Sequence, residues 1–210
     1  MTSGVCGIAF RRCVRGWFGI APLDDDALTR PLAALSDWLT AAGVPYAVIG
    51  GIAVSLQASP RYTQDIHAVV WVDDAGWAAL LAAAADFGIR PRIDDALGFA
   101  GRSRVLLLSH DNGVPLDVSC GTLPFEHDLV QAAALLDVGG VMVRVARPEH
   151  LLVLKAVADR PRDHADIESL LRTHPDLDLD GARRVIAEFA DALEQPDLVA
   201  TFDRLTRRQR

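Results

Sequence analysis

Val48-Ile49-Gly50-Gly51-Ile52-Ala53-Val54-Ser55-Leu56-Gln57-Ala58-Ser59-Pro60-Arg61-Tyr62-Thr63-Gln64-Asp65-Ile66-His67 is the stretch that decides the fold. The apolar run 46–49 reads as a short strand, and it passes through two glycines into an apolar helix over 52–58. Glycine lets a ligand come close to the backbone. A helix start offers unpaired N–H groups and a partial positive charge. A strand that ends in Gly50-Gly51 and turns directly into a helix is therefore either a phosphate-binding element or simply a tight turn. Pro60 stops the helix, and residues 65–72 read as a buried strand opened by an acid. Residues 65 and 67 are two apart, so Asp65 and His67 share one face of that strand.

Outward from this stretch, Leu28, Leu32, Leu35 and Leu39 recur at helical spacing, and Gly43 marks the end of that helix. Asp73-Asp74 caps an alanine-rich helix that ends near Gly88. Asp111-Asn112-Gly113 between the apolar runs 104–109 and 114–120 predicts a hairpin. A helix is expected over 125–136 and a strand over 141–145. From Pro148 the pattern is helical, with Pro161 separating the first helix from one over 163–172, and with further helices over 181–193 and 197–207. The expected architecture is α/β, a mixed sheet flanked by helices over 23–147, followed by a helical part over 148–210 that packs on it. Residues 1–22, with Arg11, Arg12 and Arg15 in the middle of their apolar run, are expected to be a disordered leader rather than a signal peptide.

The bulk properties narrow the function classes. A chain of 210 residues with 50% hydrophobic and 23% charged residues buries a core without staples. A formal charge of −7 excludes a generally basic nucleic-acid coat, though not a local basic patch. Cys6, Cys13 and Cys120 form no framework, which suits a reduced, cytoplasmic compartment. The longest apolar stretch is broken by Pro45 and Gly50-Gly51 and is too short to span a bilayer, so no membrane partner is expected.

Asp65 and Asp117 each sit in an otherwise apolar strand. A carboxylate in such a strand needs a cation or donors. Two of them near a phosphate-type loop suggest a divalent metal held beside a nucleotide; alternatively, they are strand-end caps or partners for Arg61, Arg102 or Arg104. Gly50-Gly51, then Pro60-Arg61-Tyr62-Thr63-x-Asp65, then Asp117 resembles the nucleotidyltransferase superfamily of DNA polymerase β type, and most nearly the AbiEii-type nucleotidyltransferase toxins. Pro148-Glu149-x-Leu151 with Lys155, then Arg160-Pro161-Arg162-Asp163-x-x-Asp166, resembles the second block of that superfamily.

The resemblance implies transfer of a nucleoside monophosphate from an NTP to a hydroxyl on RNA (a tRNA, for instance), protein or a small molecule, with Mg²⁺ or Mn²⁺ as cofactor. It also implies a toxin role beside an antitoxin partner. On this chain Gly50, Gly51 and Ser55 would cradle the triphosphate, with Arg61 and Thr63 beside it. Asp65, His67 and Asp117 would hold metal, Asp117 would position or deprotonate the hydroxyl, and Lys155 would lie at the phosphates. Arg160, Asp163 and Asp166 would support them, the two acids positioning Lys155 or Arg61 or touching substrate. Read without the resemblance, Asp163 and Asp166 are simply a solvated helix start.

The chain departs from the superfamily's Asp-x-Asp pair at His67. Mg²⁺ prefers oxygen ligands, whereas Mn²⁺ or Zn²⁺ tolerates an imidazole nitrogen. His67 is then a ligand of altered preference, the mark of a catalytically degenerate nucleotide-binding or interaction protein, or a packed side chain that leaves the work to Asp65 and Asp117.

Overall fold

The computed structural model describes residues 27–207. The expected leader and the last three residues lie outside the described residues. The helix α1 (Thr29–Ala41) buries Leu32, Leu35, Trp38 and Leu39 completely, which is the apolar stripe that its sequence shows. It leads into β1 (Tyr46–Ile49), α2 (Gly50–Gln57) and β2 (Ile66–Val70). The helix α3 (Trp77–Ala84) follows a tight turn over 74–76, and Asp73 caps that turn instead of the helix.

The hairpin at Asn112-Gly113 joins β4 (Val105–His110) to β5 (Pro115–Cys120). Along β5 the burial alternates, with Leu116, Val118 and Cys120 facing the core while Asp117 is half-open. Two elements between α3 and β4 have no counterpart in the sequence reading: β3 (Ile89–Pro91) and α4 (Ala96–Ser103). The expected helix over 125–136 is a correction. The helix α5 (Pro124–Gln131) stops early, and β6 (Ala134–Val138) pairs antiparallel with β7 (Val141–Val145). Ala132, Ala133, Leu135 and Leu136 suit a helix locally, but Gly139 and Gly140, at φ of +62° and +88°, make the two-residue turn that forces a hairpin.

The seven strands form one mixed sheet in the order β3-β4-β5-β2-β1-β7-β6. Its centre is β2, antiparallel to β1 and parallel to β5. After the sheet come α6 (Pro148–Ala158), α7 (Pro161–Thr173), α8 (Leu179–Ala192) and α9 (Asp197–Arg207). The helix α6 joins two apolar clusters, since Leu151 packs into the sheet core and Leu152 into the cluster among α6 to α9. No helix of the described residues is long and apolar enough to cross a membrane.

Candidate active site

The register places the chemistry in one row across the sheet. Ile49 pairs with His67, His67 with Asp117, and Asp117 with Leu107. The backbone N–H of Arg92, just past β3, donates to the Leu107 carbonyl and so extends the row. Gly50 follows Ile49 directly and takes φ +70°, a left-handed conformation that favours glycine. A Cβ there would lie 3.2 Å from the His67 ring and its Cβ. A Cβ on Gly51 would lie 2.6 Å from Arg61 Nη2 and 2.8 Å from Thr63 Oγ1. The segment 61–63 thus folds directly over the start of α2. No side chain caps that start.

A cavity of about 540 Å³ opens here, lined among others by Gly50, Gly51, Asp65, His67, Lys155 and Arg162. Arg61, Thr63 and Arg160 also line it. Ser55 does not. It is buried on α2, where its hydroxyl donates to the Gly51 carbonyl and accepts from the Arg61 N–H, so it fixes the loop.

Asp65 accepts a hydrogen bond from Thr63 Oγ1 at 2.9 Å, and its other oxygen is 2.9 Å from His67 Nε2. Burial raises the Asp65 carboxyl, but the hydrogen bonds from His67 and Thr63 outweigh it and hold the group below its ordinary value. On the other side of the ring, His67 Nδ1 is 3.9 Å from Asp117 Oδ2. Asp117 Oδ1 is taken by the Arg92 guanidinium.

The superfamily's divalent ion does not fit this arrangement. The imidazole of His67 fills the gap between the two carboxylates, and a guanidinium occupies the second of them. Among the described residues, no three His, Cys, Asp or Glu side chains are placed to hold a metal ion. Of the expected metal set, His67 and Asp117 pair in the row across the sheet and Asp65 lies just ahead of β2, so the three form an acid–imidazole–acid chain closed by Arg92.

Behind the cavity lies an ion network. Lys155, buried on α6, donates to Asp163 Oδ1 at 2.8 Å, and its Nζ is also 2.8 Å from Asp166 Oδ2. Arg160 Nε donates to Asp163 Oδ2 at 2.5 Å. Arg61 Nε lies 3.0 Å from Asp166 Oδ1. The two contacts to Asp166 are charge contacts without hydrogen-bond alignment. Asp163 and Asp166 are three apart on α7, so both point at Lys155. Both are buried, so they are not a solvated helix start. Burial pushes the Asp163 carboxyl up, and the hydrogen bonds from Arg160 and Lys155 more than reverse it. Lys155 reaches the cavity wall, but its charge is engaged by two acids.

The sequence reading missed the role of Arg92 because the three-residue strand that positions it was not recognised. Arg162, within the second block but unassigned there, lines the cavity with no ion-pair partner among the described residues.

Residues 104–207 match the profile of a family described as "Nucleotidyl transferase of unknown function (DUF2204)". A comparison with curated proteins finds no match. The fold is similar to that of an antigenic nucleotidyltransferase-like protein from Paracoccidioides brasiliensis, with TM-score 0.54, 20% identity, and coverage of 87% of this chain and 95% of that one. It is similar to the antibiotic-resistance factor ANT(2'')-Ia in solution, with TM-score 0.53, 17% identity, and coverage of 80% and 92%. A crystal structure of ANT(2")-Ia in complex with adenylyl-2"-tobramycin aligns with TM-score 0.51 and 17% identity, covering 79% of this chain and 98% of that one. The fold is thus a nucleotidyltransferase fold. The family match falls on the half that carries Asp117, Lys155 and the α7 acids, whereas the Gly50-Gly51 element lies upstream of it.

Proposed function

We propose that the chain is a nucleotidyltransferase that binds a nucleoside triphosphate in the 540 Å³ cavity and passes its nucleoside monophosphate to a hydroxyl acceptor. The observation that carries this reading is the convergence, on a nucleotidyltransferase fold, of an uncapped helix start, the acid Asp65 and the basic side chains Arg61, Arg160 and Arg162 around one cavity. The phosphates sit against the Gly50-Gly51 helix start and the arginines. The acceptor oxygen attacks the α-phosphorus, and the bond to the bridging oxygen breaks. Pyrophosphate leaves with that electron pair, and its charge is held by Arg160 and Arg162. The hydroxyl proton goes to Asp65, or to Asp117 once Arg92 releases it. The acceptor classes RNA, protein and small molecule, a toxin role with an antitoxin partner, and a cytoplasmic location belong to this reading through the sequence resemblance and the cysteine pattern. A small-molecule acceptor has the added support of a fold relative solved with adenylyl-2"-tobramycin.

A second reading, nucleotide binding without transfer, is favoured by the His67–Asp65 contact and the Arg92–Asp117 pair, which tie up both strand acids. Pyrophosphate release separates the two. The transfer reading predicts release from an NTP when RNA, protein or small-hydroxyl pools are added with Mg²⁺ or Mn²⁺, and its loss in Asp65→Ala. Nucleotide binding with no release from any pool leaves the second reading. No nucleotide binding at all refutes both.

A further inference from the structure

The donors that a divalent ion would need are occupied by the chain's own nitrogens. His67 Nε2 stands 2.9 Å from Asp65, and Arg92 binds Asp117. A cation brought to this row would have to displace an imidazole and sit beside a guanidinium, which Coulomb repulsion opposes at these separations. The charge that a metal supplies to a triphosphate is present elsewhere. Arg61, Lys155, Arg160 and Arg162 line the cavity, and Asp65 is the one acid among its lining residues. The acids behind the wall, Asp163 and Asp166, are 0% and 3% exposed, so they are shielded from an entering ligand by the cations they hold. Four cations against three acids leave a positive excess. Arg162 adds an exposed fork whose donors no described acid claims.

We infer that this site takes its nucleoside triphosphate free of divalent metal, with the arginines of the 61 and 160–162 segments neutralising the phosphates in the metal's place. The inference rests on the nucleotide-binding reading above and goes beyond it. Arg92 and His67 are then positioning residues: they hold the strand acids in check, so that the phosphates meet a basic wall without a carboxylate row facing them. Guanidinium suits the task, since it is permanently charged and binds phosphate oxygens two at a time.

The test is calorimetric titration of ATP into the full chain, once with EDTA and once with excess Mg²⁺ or Mn²⁺. The inference predicts a dissociation constant in EDTA equal to, or within about threefold of, that with metal. Arg162→Ala, at an exposed site with no described partner, should fold normally and weaken binding in EDTA by about tenfold, the effect of one charge-assisted hydrogen bond. The double variant His67→Asp/Arg92→Ala frees the row, and its ATP binding should tighten with Mg²⁺ by about tenfold or more. Wild-type binding seen only with metal would overturn the inference while leaving the nucleotide site standing. Unchanged affinity in Arg162→Ala would overturn the role of the basic wall. No binding in either buffer would remove the nucleotide reading and the inference with it.

Discussion

Lys155→Met removes the one cation that two buried acids share. Lys155 is 5% exposed and its ammonium lies 2.8 Å from both Asp163 and Asp166. Taking one partner from a buried charge pair costs about 3–5 kcal/mol, because the other charge is left uncompensated. Here each acid keeps an arginine, Arg160 for Asp163 and Arg61 for Asp166, so the expected loss is at the lower end, about 3 kcal/mol. For a domain of this size that is roughly 6–12 °C in Tm. Urea unfolding followed by tryptophan fluorescence, together with a thermal melt, measures it. A loss below about 1 kcal/mol for Lys155→Met would refute the buried-network account. If Lys155 acted mainly on phosphates, the substitution would leave unfolding unchanged and weaken ATP binding instead.

Gly51→Ala puts a methyl 2.6 Å from the Arg61 guanidinium and 2.8 Å from Thr63 Oγ1, so these two side chains must move off the start of α2; ATP titration should show about a tenfold loss of affinity with the fold retained by circular dichroism. Asp163 and Asp65 titrate below their ordinary value of 3.8, so their contribution is fully present above pH 3.8 and is lost as pH falls through their lower folded values. Acid unfolding should therefore begin below pH 3.8 for these groups, and Asp163→Asn should flatten the stability curve in that range. His150 packs its ring 5.6 Å from Phe125, and burial lowers its pKa from 6.5. The unfolded state then binds the proton more readily, so stability is full above pH 6.5 and declines below it; His150→Phe should abolish that decline in pH-dependent melts.

The fold was legible where periodicity and turn chemistry agreed. The α1 stripe, the strand-Gly-Gly-helix unit, the Asn112-Gly113 hairpin and the proline-separated helices α6 and α7 all follow from local pattern. Where a short segment takes its structure from a neighbour, local pattern failed. Ala134 to Val138 is a strand because the Gly139-Gly140 turn pairs it with β7, and Ile89–Pro91 is a strand only because β4 lies beside it. The site divides in the same way. Gly50, Gly51, Arg61, Asp65 and His67 are close in sequence, and the structure brings them to one cavity. Helical spacing puts Asp163 and Asp166 on one face of α7, but their contact with Lys155 on α6 was expected from the resemblance alone. The Ser55 hydroxyl serves the backbone of its own loop, which the residue type alone does not reveal. Arg92 reaches Asp117 through a strand register that no local signal encodes.

The central claim is that a nucleoside triphosphate sits against the Gly50-Gly51 helix start and the basic wall beside it. Hydrogen-exchange mass spectrometry of the full chain, with and without saturating ATP, reads that location directly. The account predicts slowed exchange in peptides covering 49–67 and 155–163, with little change in the peptides of α8 and α9. ATP-dependent protection confined to α8 and α9, or no protection anywhere at saturating ATP, would contradict it.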